Sequence, residues 1–132
     1  METVESELLK NAAREAAKAS FSPYSHYPVG AAVMTEDGVI YSACNVESSV
    51  YGLSMCAERN ALATAVSKGA RKFRALAIWS ENGATPCGAC RQVIWELCGE
   101  IPIYIVDADG KEKCYISSVL LPDPFDENKL RK

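Results

Sequence analysis

Two short clusters carry residue types that do chemistry together. Cys56-Ala57-Glu58-Arg59 and Pro86-Cys87-Gly88-Ala89-Cys90-Arg91 hold three thiols, one carboxylate and two guanidinium groups. The segments after each cluster read as helices that follow strands, so both clusters sit at helix starts. A helix N-terminus points free N–H groups and a positive partial charge outward, which favours a thiolate there. Cys87 and Cys90, three positions apart across a first helical turn, aim both sulfurs at one point, and Cys56 from a neighbouring helix supplies a third. Three protein ligands suit a catalytic zinc, whose fourth tetrahedral position holds water. Glu58, two positions from Cys56, is carried near that open position without being an obvious ligand. A general acid/base belongs there, and proton transfer of this kind is worth typically ~100- to ~10,000-fold in rate. The metal itself lowers the pKa of its water to about 7. Three thiolates on Zn²⁺ leave a formal charge of −1, and Arg59, one turn on from Cys56, offsets it by donating hydrogen bonds to the sulfurs.

The same residues admit other chemistry. Cys87-Gly88-Ala89-Cys90 at a helix start also looks like a redox dithiol, a reading that leaves Cys56 and Glu58 without a task. A closed structural zinc site needs a fourth protein ligand, which Cys44, Cys98, Cys114 or His26 would have to provide. Taken alone, Cys44, Cys98 and Cys114 read as small buried hydrophobes.

The rest of the composition narrows the function. A chain of 132 residues forms one domain, here 1–132, and is large enough to bury an apolar core without disulfide staples. Its six cysteines are therefore expected to be reduced thiols. The longest apolar run, Ile101 to Val106, falls far short of the ~20 residues that span a bilayer. The opening Met1-Glu2-Thr3-Val4-Glu5 is acidic where a secretory signal is basic, so a cytoplasmic location is expected. With 14 Lys and Arg against 17 Asp and Glu the net charge is −3 and no basic block is present, which disfavours nucleic acid and favours a small molecule as partner.

The elements that must position the clusters follow from periodicity and turn residues. Leu8, Leu9, Ala12, Ala13, Ala16 and Ala17 recur at helical spacing, with Thr3 as cap and Ser22-Pro23 as stop. Val29 to Thr35 and Val39 to Asn45 read as strands joined at Glu36-Asp37-Gly38. A helix from Cys56 to Lys68 ends at Gly69, and a strand runs from Phe73 to Trp79. A second helix from Gly88 to Cys98 ends at Gly99. Strands from Ile103 to Val106 and Lys113 to Ile116 and a short helix from Ser117 complete the series. The alternation predicts an α/β fold, helices packed on a mixed sheet with parallel pairs and an antiparallel hairpin at one edge.

The arrangement resembles the zinc-dependent cytidine deaminase family, whose pattern is His or Cys, any residue, Glu, then Pro-Cys-x-x-Cys. The likeness extends to Phe21-Ser22-Pro23-Tyr24-Ser25, Val29-Gly30-Ala31-Ala32, Asn45-Val46-Glu47, Cys90-Arg91-Gln92-Val93 and Leu120-Leu121-Pro122. Cysteine as the first ligand is the pattern of the small homotetrameric type. The resemblance implies a three-layer α-β-α sandwich around a mixed five-stranded sheet, with one Zn²⁺ per chain on Cys56, Cys87 and Cys90. It implies hydrolytic deamination of cytidine and 2′-deoxycytidine to uridine, 2′-deoxyuridine and ammonia by a zinc-bound hydroxide, in pyrimidine salvage, with Glu58 as proton shuttle. Asn45 and Glu47, two apart at a strand end and so on one face, would bind the ribose hydroxyls. Phe21 would lie against the pyrimidine, and the Ala57 N–H and the carbonyl near Thr85 would read the base. Phe125 would complete the site of a neighbouring subunit.

Overall fold

A computed structural model describes residues 4–130 of the chain. In order, the elements are α1 Val4–Ala17, β1 Val29–Thr35, β2 Ile40–Cys44, a 3₁₀ turn Tyr51–Leu53, α2 Ala57–Ser67, β3 Phe73–Ser80 and α3 Gly88–Cys98. These are followed by β4 Pro102–Val106, β5 Glu112–Ile116, α4 Ser117–Leu120 and α5 Glu127–Leu130. The five strands form one sheet in the order β2-β1-β3-β4-β5. Among the strands of the described residues, only the β3–β4 pair is parallel. The expected mixed sheet with an antiparallel edge hairpin is therefore present, and β5 adds a second antiparallel edge.

Alternating side chains divide the sheet between two helical layers. Val33, Leu76, Ile78, Ile103 and Ile105 pack against Leu62 and Ala65 of α2 and Ile94 of α3. Their neighbours Ala32, Met34, Ala75, Ala77 and Tyr104 pack against Leu9 and Ala13 of α1 on the opposite face. This is the three-layer α-β-α sandwich. Small residues line the α1 side because that helix sits close to the sheet. The closest approach is at Gly30, where an added Cβ would lie 1.9 Å from the Ala13 carbonyl oxygen and 2.6 Å from the Ala17 nitrogen. Backbone atoms cannot step aside as a flexible side chain would. Gly30→Ala is therefore expected to destabilise the fold by about 3 kcal/mol or more, at or beyond the upper end for overpacking. Urea unfolding of this variant beside Gly52→Ala, whose added Cβ meets nothing within 4 Å, is the measurement that checks it.

Long-range packing shifts some local expectations. The buried face of α1 is Ser6, Leu9, Lys10, Ala13 and Ala17, whereas Leu8 is exposed. Lys10 is buried because its Nζ reaches Glu112 Oε1 at 2.7 Å and lies 4.9 Å from the centre of the Tyr104 ring. The helix ends at Ala17, ahead of Ser22-Pro23, as the Ser20 hydroxyl turns to donate to Asn45 Oδ1. Thr3, the expected cap, lies outside the described residues. Cys44 and Cys98 are half-buried, but Cys114 is exposed rather than buried because it lies on the edge strand β5.

The topology then places the chemistry. β2 and β3 run in the same direction with β1 between them, and each is followed, after a loop, by a helix on the same face of the sheet. The register pairs Gly30 with Cys44 and Val29 with Ser80, so the carboxyl ends of β2 and β3 lie side by side. A crevice outside the carboxyl ends of strands is the usual ligand position in open α/β sheets.

Candidate metal centre and active site

Cys56 and Cys87 occupy the positions just before α2 and α3, in extended conformation, and neither side chain caps its helix. Their carbonyls accept the first helical hydrogen bonds, from Asn60 N at 3.0 Å and Arg91 N at 2.9 Å, which leaves both sulfurs free to turn inward. Asn60 also donates from Nδ2 to the Cys44 carbonyl at 2.9 Å, fastening the start of α2 to the end of β2. Cys90 follows within the first turn of α3 and is fully buried. The sulfurs of Cys56, Cys87 and Cys90 all lie within 4.8 Å of one another, with Cys87 and Cys90 at 3.5 Å. Tetrahedral zinc with bonds of about 2.3 Å to sulfur separates its thiolates by roughly 3.8 Å, so the trio fits that ion. Neither Cys44, Cys98, Cys114 nor His26 joins this group, which leaves three protein ligands among the described residues.

Local electrostatics prepare the cluster for a cation. A hydrogen bond from the Cys90 thiol, assisted by the Arg59 guanidinium, brings Cys56 down to about 5 from an ordinary 9.0. Cys90 is pushed up by making that bond and by burial, so a bound cation is what would deprotonate it. Arg59 Nη2 donates to Cys56 Sγ at 3.2 Å, the contact expected of a residue that offsets thiolate charge. Its Nε is buried without a partner. Glu58 is 5 % exposed, and burial raises its carboxyl above the ordinary 4.5, an effect that the nearby Cys56 charge reinforces. A carboxyl group so shifted holds and releases a proton nearer neutrality.

Cys56, Glu58, Cys87 and Cys90 line a cavity of about 290 Å³ that is also lined by Tyr27, Asn45, Glu47, Ala57, Thr85 and Pro86. The chain after β2 stays extended through bridges from Val46 to Phe21 and to Met55, which is why Asn45 and Glu47 face the same way. Asn45 is a clasp as well as a wall. Its Oδ1 accepts from Ser20 Oγ and from Val29 N, and its Nδ2 donates to the Tyr27 carbonyl at 2.9 Å. Glu47 accepts from the Ser25 hydroxyl and from the Tyr24 and Ser25 amides, at 3.0 and 3.1 Å. These bonds, the Ser25 hydroxyl foremost, hold its carboxyl below the ordinary 4.5. A lowered carboxyl pKa means that this tether is intact above 4.5 and is lost as pH falls through the lower folded value. Hydrogen exchange followed by NMR should show the Tyr24 and Ser25 amides losing protection on acidification, at a midpoint that Ser25→Ala moves upward.

Phe21, expected against the base, does not reach the cavity of this chain, and Phe125, expected at a neighbour's site, stands on the surface. Phe21 is 54 % exposed and Phe125 57 %. The aromatic wall is Tyr27, at the far side of a turn that includes His26 in the left-handed region. Arg91, noted in the sequence only as a flank of Cys90, proves to hold the opposite wall. It donates to the Pro86 carbonyl at 2.7 Å, the Thr85 hydroxyl at 3.0 Å and the Leu120 carbonyl at 2.9 Å. Nothing in its local spacing announces the Leu120 carbonyl, 29 positions away, as a partner.

Comparison with known proteins agrees with the geometry. Residues 2–105 match the family model described as the cytidine and deoxycytidylate deaminase zinc-binding region. A cytidine deaminase of Sporosarcina psychrophila is 45 % identical over 120 residues, 89 % of this chain and 88 % of the relative. The crystal structure of cytidine deaminase from Burkholderia pseudomallei aligns with a TM-score of 0.87 at 41 % identity, covering 90 % of this chain and 98 % of that one. That of Mycobacterium tuberculosis aligns with a TM-score of 0.81 at 36 % identity, covering 93 % and 98 %. With three thiols gathered beside a buried carboxyl and relatives of this similarity over nearly the whole chain, this protein belongs to the cytidine and deoxycytidylate deaminase zinc-binding family.

Proposed function

We propose that this chain catalyses the hydrolytic deamination of cytidine and 2′-deoxycytidine to the corresponding uridines and ammonia, as a step of pyrimidine salvage. The observation that carries this reading is the buried Glu58 carboxyl beside the three-sulfur cluster, both lining a cavity sized for one small molecule. A zinc ion, when bound by Cys56, Cys87 and Cys90, supplies Lewis-acid activation of water at neutral pH. Glu58 takes one proton from the attacking water and passes it to the ring nitrogen, then takes the proton of the new C4 hydroxyl and passes it to the departing amino group, so that the carbonyl forms as that group leaves. Water adds at C4, the C4–N bond breaks, and the nitrogen leaves as ammonia. The Ala57 N–H, at the start of α2 where helical N–H groups lack internal partners, reads the base oxygen, and the carbonyl at Thr85 accepts from the amino group.

Hydrogen-bond capacity supports a sugar at Asn45 and Glu47. A carboxylate offers about four acceptor sites, of which Glu47 has three engaged within the chain, and Asn45 has used one of the two N–H donors of its amide. One acceptor and one donor remain, the complement of a single hydroxyl, so a sugar lacking its 2′-hydroxyl is accommodated as well. Among the described residues no lysine or arginine lines the cavity, and its ionisable groups are carboxylates, thiols and the Tyr27 phenol. That polarity suits a neutral nucleoside and opposes a phosphorylated one.

The proposed assembly is a homotetramer in the cytoplasm. Val50, Tyr51, Leu53 and Met55 form an exposed apolar stretch beside the cavity, the kind of surface that another subunit covers. In that assembly Phe125, exposed on its own chain, completes a neighbour's cavity. Among the described residues no helix is long and apolar enough to cross a membrane. The decisive experiment measures ammonia and uridine formed from cytidine, deoxycytidine and deoxycytidylate, with zinc per chain on the same sample. Turnover of both nucleosides with stoichiometric zinc and little turnover of the nucleotide is the expected result. Zinc without turnover of either nucleoside would overturn the substrate assignment.

A further inference from the structure

The two walls at the mouth of the cavity come from distant parts of the chain, the turn at 21–28 and the loop at 81–87 between β3 and α3. Most of their hydrogen bonds run away from each other. The turn is held to the end of β2 through Phe21 N to the Asn45 carbonyl, the Glu47 carboxylate, and Asn45 Nδ2 to the Tyr27 carbonyl. The loop is held to the sheet through Ala84 N to Ser80 Oγ at 3.0 Å and Ala108 N to the Glu81 carbonyl at 3.1 Å, and to α3 through Arg91. It cannot retreat, because Gly83, with φ of +67°, is backed against Asp107, whose Cβ would lie 3.2 Å from an added Cβ. Among the described residues one hydrogen bond joins the walls across the mouth, from the Tyr27 hydroxyl to Asn82 Oδ1. Tyr27 lines the cavity, whereas Asn82 faces a separate surface depression with Asp107 and Lys111.

We propose that Tyr27 and Asn82 form a latch that sets the separation of the two walls and the tilt of the Tyr27 ring, and so governs capture of the substrate rather than the chemical step. This rests on reading the cavity as a nucleoside site. The ring alone supplies an apolar face, which phenylalanine would supply equally; the hydroxyl matters because it fixes where that face stands. Its partner touches neither the sulfur cluster nor Glu58, so Asn82 acts through Tyr27 and is a positioning residue.

The test compares zinc-loaded wild type with Tyr27→Phe, Asn82→Ala, the double variant and Asn82→Asp. Either single change should raise KM for cytidine about fivefold, as expected for one net hydrogen bond, with kcat falling less than twofold. The double variant should be no worse than the singles, and Asn82→Asp, which keeps an acceptor, should retain the wild-type KM. Amide hydrogen exchange without substrate should show faster exchange across 81–85 in Tyr27→Phe, a change made on the opposite wall. The latch is overturned if the two effects multiply in the double variant, if the loss falls on kcat, or if exchange across 81–85 is unmoved. Absence of cytidine turnover in the wild type would instead defeat the nucleoside reading, and the exchange comparison would then decide the latch by itself.

Discussion

Glu58→Gln is expected to lower kcat for cytidine by about 100- to 10,000-fold, the range of a positioned general acid/base, with zinc content unchanged. The amide keeps the size and hydrogen-bonding shape of the carboxyl but cannot carry a proton between water and base. Glu58 is 5 % exposed and has no place among the three sulfurs, so its replacement disturbs neither the surface nor the ligand set. Removing a carboxylate from a buried position also removes its desolvation cost, so the variant should fold at least as well as the wild type. Steady-state kinetics and metal analysis on one preparation check both parts. Near-normal turnover with zinc retained would show that another group moves the proton.

The second large effect is at the metal. Cys87→Ser should weaken zinc binding by more than the ~10- to 100-fold typical of residues that only support metal ligands, and activity should fall with zinc occupancy. Serine is nearly isosteric, but its hydroxyl does not ionise near neutral pH and is a poor match for a site built of soft sulfur. Cys87 is the informative choice of the three because it is exposed, so its loss leaves the core intact. Cys90 is fully buried in the first turn of α3, where substitution mixes lost ligation with lost packing. Metal analysis after dialysis, with circular dichroism to confirm folding, separates the two. Wild-type zinc retention in Cys87→Ser would mean that Cys87 is not a ligand.

The two clusters illustrate how local physics made the site legible. Cys56 with Glu58, and Cys87 with Cys90, have meaning at short spacing because a helix start fixes the relative directions of residues two and three apart. The same holds for β1, whose predicted span Val29 to Thr35 is the observed one, and for the stops at Gly69 and Gly99, where positive φ is needed. Asn45 and Glu47 follow the same logic, since extended chain alternates its faces.

Features decided by contacts between distant segments could not be read this way. Phe21 and Tyr27 are both aromatic residues flanking one turn, and which of them faces the cavity depends on how that turn docks onto Asn45 and Glu47. Lys10 is buried by a partner 102 positions away, and Arg91 is engaged by a carbonyl 29 positions away. Cys114 is exposed because its strand ended at the sheet's edge. Local spacing was enough to single out Cys56, Glu58, Cys87 and Cys90 and the elements that carry them, since each is set by neighbours along the chain. The meeting of Cys56 with Cys87 and Cys90 is a product of topology, because β1 inserts between β2 and β3 and brings two helix starts to one end of one sheet.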